Sequence, residues 1–152
     1  MKLAEALILR ADAQKRVAQL RQRLMRSARV QEGEQPPEDP QGLLAELEAT
    51  TDELTRLIQQ INRTNSATPF QAGVLSDVLA TRDTLRLKRT AYDSLVGAAA
   101  TSQDRYMRSE LRLVSTVNVA ELQRQIDQLA REYRELDAQI QALNWATDLV
   151  EA

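Results

Sequence analysis

The chain has 152 residues, contains no cysteine or histidine, and carries a formal net charge of -2 at pH 7. These absences exclude thiol and imidazole catalysis, disulfides and the usual zinc ligands, so we expect no metal site, no cofactor and no enzyme activity. Hydrophobic residues make up 43% of the chain but aromatic residues only 3%, which is typical of helical bundles. The length indicates one helical domain over residues 1–152.

The first predicted helix covers about residues 2–28. Its apolar residues recur at alternating steps of three and four, which is the spacing of a helix that packs along one face. The row consists of Leu3, Ala6, Ala13, Val17, Leu20 and Leu24, with Arg10 at one position. This helix is also basic, since eight lysines and arginines up to Arg29 face only Glu5 and Asp12.

An acidic, proline-rich loop is predicted over residues 31–41. Asp39 followed by Pro40 is a favoured start for a second helix, at about residues 40–65. We expect its packing row to contain Leu44, Leu47, Thr51, Leu54, Ile58, Ile61 and Asn65. Residues 30–56 carry eight acidic side chains against Arg56 alone, so we expect this stretch to lie beside the basic first helix.

A connection of about ten residues precedes the third helix, which is predicted at about residues 76–101. We interpret the connection as an ordered loop held by Phe70 and Leu75, and Ser76 as the cap of the helix. Arg82 and Arg89 fall at positions of the packing row where bulky apolar residues are expected.

Residues 106–117 alternate apolar and polar side chains, which predicts a strand. A strand needs a partner for its backbone groups. Either residues 29–31 supply that partner, giving an extended pair near Val30 and Leu111, or the same strand of a second subunit does.

The fourth helix is predicted at about residues 118–148, with Asn118 as its cap and Glu121 reaching back to the cap amide. Its apolar residues hold a coiled-coil spacing over the whole length. The row consists of Val119, Leu122, Ile126, Leu129, Tyr133, Leu136, Ile140, Leu143, Thr147 and Val150. The predicted fold is therefore mainly α, with four helices in coiled-coil-like antiparallel hairpins and a short two-stranded element.

Four motifs together resemble one family, the small, mostly bacterial proteins labelled septicolysin. The motifs are MKLAEALILRAD at residues 1–12, INRTN at 61–65, RYMRSELRLVSTVNV at 105–119 and LNWATDL at 143–149. The name implies a pore-forming toxin, and the family is otherwise a domain of unknown function without catalytic residues to carry over. Because the chain has neither an export signal nor a membrane-length apolar run, we expect a cytoplasmic protein that forms no pores.

Three arginines in packing rows are candidate anion contacts. Arg10, Arg82 and Arg89 either converge on an anionic ligand or pair with carboxylates across the bundle.

A second candidate surface joins the basic first helix to Arg105, Arg108 and Arg112, which suits nucleic-acid phosphates. The negative net charge and the spread of basic residues around the helix disfavour that interpretation.

The third candidate lies around the single tryptophan of the chain. Asn144, Trp145 and Asp148 either form a recognition knob for a partner or lock the C-terminal turn onto another part of the same molecule.

The favoured function is a non-enzymatic helical interaction or scaffold protein that self-assembles into a homo-oligomer. A helix of about 30 residues extends roughly 45 Å, which is longer than a compact domain of this size needs. We therefore expect part of its apolar row to contact another chain. The alternatives are a nucleic-acid-binding module and a metal-dependent carboxylate enzyme using Glu132, Glu135 and Asp137. No membrane partner is expected, and the sequence leaves the partner and the oligomer number open.

Overall fold

The computed structural model describes residues 1–100 and 112–151, and over these residues the chain forms four α-helices and one two-stranded sheet. The helices are α1 (Leu3–Arg26), α2 (Pro40–Ala67), α3 (Leu75–Ala100) and α4 (Val119–Ala146). Strands β1 (Pro69–Phe70) and β2 (Gly73–Val74) pair antiparallel. The predicted fold class, mainly α with a short two-stranded element, is confirmed. None of these helices, over the part described, is long and apolar enough to cross a membrane.

The strands are not where the sequence pattern placed them. They form a hairpin inside the connection between α2 and α3, with Gln71 at a φ of 50° in its turn. Residues 29–31 and 112–117 form no strand, so the predicted extended pair is wrong there, while residues 101–111 lie outside the described part. The reason is visible at Leu113 and Val114, which are 66% and 71% exposed. These adjacent apolar residues therefore lie on no buried sheet face.

Helix starts largely follow the sequence signals. The Asp39 carboxylate accepts hydrogen bonds from the amides of Gln41 and Gly42 at 3.1 and 3.2 Å, which confirms the cap of α2. Asn118 Oδ1 likewise accepts from the amide of Glu121 at 3.0 Å. The third helix differs, because β2 leads directly into it and it begins at Leu75. The predicted cap Ser76 is therefore the second residue of the helix.

The chain divides into two compact units, and the first combines Met1–Val74 with Ala142–Ala152. Here α1 packs against α2, and the predicted row of α1 is buried at Leu3, Ala6, Ala13 and Leu20. Arg16 pairs with Glu46, and Arg23 pairs with Glu38. The later residue on α1, Arg23, contacts the earlier acidic residue, Glu38, so the two segments run antiparallel. The acidic stretch lies beside the basic helix, as predicted.

The buried row of α2 differs from the predicted row. At every second position of the row, the buried residue is the one immediately before the predicted residue. Leu44 and Ile58 are 46% and 36% exposed, whereas the buried residues are Leu43, Thr50, Leu57, Ile61 and Thr64. The hydroxyls of Thr50 and Thr64 donate to the carbonyls of Glu46 and Gln60 at 2.8 and 2.7 Å. Because a hydroxyl satisfied within its own helix can be buried at little cost, Thr50 and Thr64 occupy the positions that the prediction gave to Thr51 and Asn65.

The second unit spans Leu75–Gln141 and contains α3 and most of α4. The predicted row of α4 is buried at Ile126, Leu129 and Ile140 in this unit. In the described part of α3, the buried residues are Leu75 and Val78, both near its start. The distal part of α3 is thus more exposed than its apolar content suggested.

Candidate interaction site

The two ends of the chain meet in a small backbone-paired clasp, formed by residues 147–151 against residues 1–3. The Leu3 amide donates to the Thr147 carbonyl at 2.9 Å, and the Leu149 amide donates to the Met1 carbonyl at 2.8 Å. Between them, Lys2 and Asp148 form an isolated antiparallel bridge. The last turn of α4 is therefore fixed to the first turn of α1.

An ion pair lies on the outside of this clasp. Lys2 Nζ is 2.8 Å from Asp148 Oδ1, and it also donates to the Ala146 carbonyl at 3.4 Å. The hydrogen bond and the charge of Lys2 lower the pKa of Asp148, and the N-terminal ammonium adds to the effect. Because the Asp148 side chain is 79% exposed, the pair contributes little stability and mainly fixes the geometry of the chain ends.

Thr64 on α2 holds the clasp from the inside. Its hydroxyl accepts a hydrogen bond from the Val150 amide at 2.9 Å, and the residue is only 1% exposed. Gln60 Nε2 adds a bond of 3.3 Å to the Glu151 carbonyl. Sequence reasoning named Thr64 only inside a motif of the resemblance, because a threonine near a polar helix end carries no signal of a distant partner.

The three candidate residues around Trp145 have different surroundings. Asn144 is 5% exposed and Asp148 pairs with Lys2, so both belong to the packed chain ends. Trp145 itself is 55% exposed. The sequence offered a lock and a recognition knob as alternatives, and the local geometry has features of both: a fixed turn and an indole that faces solvent.

The candidate arginines of α3 are both engaged. Arg82 Nη1 donates to Asp137 Oδ1 on α4 at 2.9 Å, and its side chain is 22% exposed. Arg89 lies 3.8 Å from Asp93 in its own helix, and its side chain is 47% exposed. Arg82 thus has the cross-bundle carboxylate that the structural alternative requires, whereas Arg89 lies at the surface.

The remaining candidate arginines are separate from that pair. Arg10 is half-buried in the first unit, and its Nε has no hydrogen-bond partner among residues 1–100 and 112–151. Arg112 is exposed, and Arg108 lies outside the described residues. Arg10 belongs to the first unit, and Arg82 and Arg89 belong to the second, so their convergence on one anion stays a prediction.

The charges that suggested nucleic-acid or metal binding are partly used within the fold. The hydrogen bond and the charge of Arg23 lower the pKa of Glu38, and the same bond raises the pKa of Arg23. Glu132 accepts a hydrogen bond from Gln128 at 3.2 Å, while Asp137 holds Arg82. Within the described parts of the chain, no three acidic residues are grouped as metal ligands.

Two comparisons place the chain among known proteins. The sequence model of a family of unknown function (DUF6847) matches residues 10–149. The chain is also similar to a functionally unknown conserved protein from Corynebacterium diphtheriae, whose crystal structure matches with a TM-score of 0.92 and 46% identity over 99% of each chain. No curated protein matches, and neither match carries the septicolysin name. The chain belongs to the family of unknown function DUF6847.

Proposed function

We propose that this chain is a non-enzymatic, cytoplasmic helical interaction protein that assembles with copies of itself. The observation that carries the proposal is Trp145, a large aromatic side chain that is 55% exposed although its backbone lies in the last turn of α4, beside the clasp. An exposed indole on a fixed turn loses little conformational freedom on binding. Tryptophan is for this reason over-represented among the residues that dominate binding energy.

The neighbouring charges also suit a contact surface. Lys2 and Asp148 form an exposed ion pair, and Asp148 follows Trp145 closely in the sequence. Polar groups of this kind commonly line the rim of an interface. A contact here would be centred on one aromatic side chain, so we expect it to be dissociable.

The two alternative functions have less support. Nucleic-acid binding would draw on α1, where Arg16 and Arg23 are already paired with carboxylates of the following loop and helix. Salt-sensitive retention on RNA or DNA at about 0.15 M salt would support it nevertheless. A carboxylate enzyme would draw on Asp137, which holds Arg82. Pore formation is not part of the proposal, and lysis of liposomes by the pure protein would contradict it.

Light scattering over a concentration series tests self-association directly. We expect the apparent mass to rise with concentration, and a constant monomer mass would contradict the proposal. Because the chain has a single tryptophan, iodide quenching of its fluorescence reports on Trp145 alone. Quenching that weakens as the mass rises places Trp145 in the contact, whereas unchanged quenching means that copies associate through another surface.

A further inference from the structure

The outward side of α1 carries a second regular row of side chains, opposite to the row that packs against α2. Its residues follow alternating steps of four and three, which is the spacing of a helix-pairing surface. All of them are exposed: Glu5, Ile8, Asp12, Lys15, Gln19, Gln22 and Arg26 on the helix, and Met1 just before it. We call this set the outer row. Its spacing is that of a paired helix, but in the described structure its side chains face solvent.

The two halves of the outer row differ in charge and polarity. The N-terminal half joins the acids Glu5 and Asp12 to Met1 and Ile8, each 53% exposed. Glu5 also accepts a hydrogen bond from the Lys2 amide at 2.6 Å, which holds its carboxylate at the helix start. The C-terminal half is basic and polar. The two charged residues nearest the centre of the row, Asp12 and Lys15, are therefore of opposite sign.

The central charges of the row have no partner within the described residues. The ion pairs that α1 makes there use Lys2, Arg16 and Arg23, and they leave Asp12 and Lys15 unpaired. Shallow grooves follow the row along the helix. One of about 390 Å³ lies beside Met1 and Ile8, and one of about 470 Å³ lies beside Gln22 and Arg26. A third, of about 350 Å³, begins beside Asp12 and Lys15 and extends to Glu53 of α2.

We propose that a second copy of this chain docks its own α1 antiparallel on the outer row. With residues 13 and 14 at the centre, Asp12 lies opposite Lys15 of the second copy, and Lys15 opposite its Asp12. Ile8 meets Gln19 and Glu5 meets Gln22 in the same arrangement. Every contact occurs twice, so the pairing is two-fold symmetric and closes as a dimer. A parallel pairing would instead set Asp12 against Asp12 and Lys15 against Lys15.

The size of the row predicts a weak dimer. The 24 residues of α1 make a helix about 36 Å long. With a contact strip about 10 Å wide, each copy buries on the order of 360 Å², well below the roughly 800 Å² per partner of a standard interface. The dimer should dissociate on dilution and weaken as salt screens its exposed charges.

Charge exchange tests the pairing, which rests on the self-association part of the proposed function. Asp12→Lys sets lysines against lysines, and Lys15→Asp sets acids against acids. Each single change should weaken dimerisation about ten-fold, because two symmetric attractions become repulsions. The double variant, Asp12→Lys with Lys15→Asp, restores opposite charges and should return the dissociation constant to within about three-fold of wild type. Sedimentation equilibrium measures these constants.

Cysteine cross-linking fixes the direction, since the chain has no cysteine of its own. Ile8→Cys with Gln19→Cys should give a disulfide-linked dimer. Ile8→Cys alone should not, because the antiparallel register separates the two copies of that position by about 16 Å, beyond the reach of a disulfide.

Three results would overturn the inference. The first is a cross-linked dimer from Ile8→Cys alone. The second is a dissociation constant of the double variant no lower than those of the single variants, and the third is a dissociation constant that none of the charge changes alters. The last result would leave self-association standing on another surface, whereas a wild-type monomer at every concentration would contradict self-association as well. The same monomer result is expected if the outer row binds a helix of a different protein.

Discussion

The Val150 amide donates a hydrogen bond to the Thr64 hydroxyl at 2.9 Å across 86 residues of sequence. Thr64→Val keeps the shape of the side chain but removes this acceptor, together with the bond that the hydroxyl donates to the Gln60 carbonyl in its own helix. We expect the free energy of unfolding to fall by about 1 kcal/mol, the usual net value of one hydrogen bond. Urea unfolding measures the loss.

Thr55→Val is a matched control for that change. The Thr55 hydroxyl is exposed and bonds only the Thr51 carbonyl in its own helix, at 2.9 Å. Its loss should cost less than about 0.5 kcal/mol. Equal costs at positions 55 and 64 would mean that the clasp does not depend on Thr64.

The Lys2–Asp148 pair should respond to acid. Because Lys2 lowers the pKa of Asp148 in the folded protein, the contribution of the pair is present above the ordinary aspartate value and is lost as the pH falls through the lowered folded value. In an NMR titration, the Asp148 carboxyl should therefore titrate below its usual pKa of about 3.9. Lys2→Met should raise that pKa toward the ordinary value. A titration midpoint that Lys2→Met leaves unchanged would contradict the assignment.

The register of α2 can be tested at two adjacent residues. Leu43 is 4% exposed and Leu44 is 46% exposed. Leu43→Ala removes buried apolar atoms and leaves a cavity, so we expect a cost of about 2–4 kcal/mol. Leu44→Ala should cost less than about 1 kcal/mol. Denaturant unfolding of both variants measures these losses in the free energy of unfolding. A larger loss for Leu44→Ala than for Leu43→Ala would support the row predicted from sequence.

The arginines of α3 should differ in coupling to their carboxylates. A double-mutant cycle on Arg82 and Asp137 should give a coupling energy of about 1 kcal/mol, since the pair is partly buried and well aligned. The same cycle on Arg89 and Asp93, which are more exposed and 3.8 Å apart, should give less than about 0.5 kcal/mol. Similar couplings would remove the distinction between the two arginines.

The packing rows of α1 and α4 were predictable because their apolar residues hold one spacing without a competing row. In α2 two rows compete. Leu47, Leu54 and Ile61 belong to both, and only the residues between them decide the register. The two sets are nearly equal in hydrophobicity, because Leu43, Thr50 and Leu57 are matched by Leu44, Thr51 and Ile58. The structure buries the first set. Neither spacing nor hydrophobicity therefore separates the two rows, and the hydroxyl bonds do not either, since Thr51 also bonds a carbonyl of its own helix.

The candidate site was predictable only in part. Trp145 was singled out for its chemistry, and its exposure gives that choice a physical basis. The clasp was not predictable, because its main contacts join backbone atoms of Met1 and Leu3 to residues near the other end of the chain. Backbone amides and carbonyls are common to nearly every residue, so such pairing carries no sequence signature.

The clasp also sets an order of folding. Its contact between Lys2 and Ala146 spans 144 residues, whereas the contact between Arg23 and Glu38 spans only 15. Closing the longer loop from an unfolded chain costs about 2 kcal/mol more in chain entropy. The α1–α2 hairpin should therefore assemble early, and the C-terminal segment should dock on it late, once most of the chain between them is already ordered.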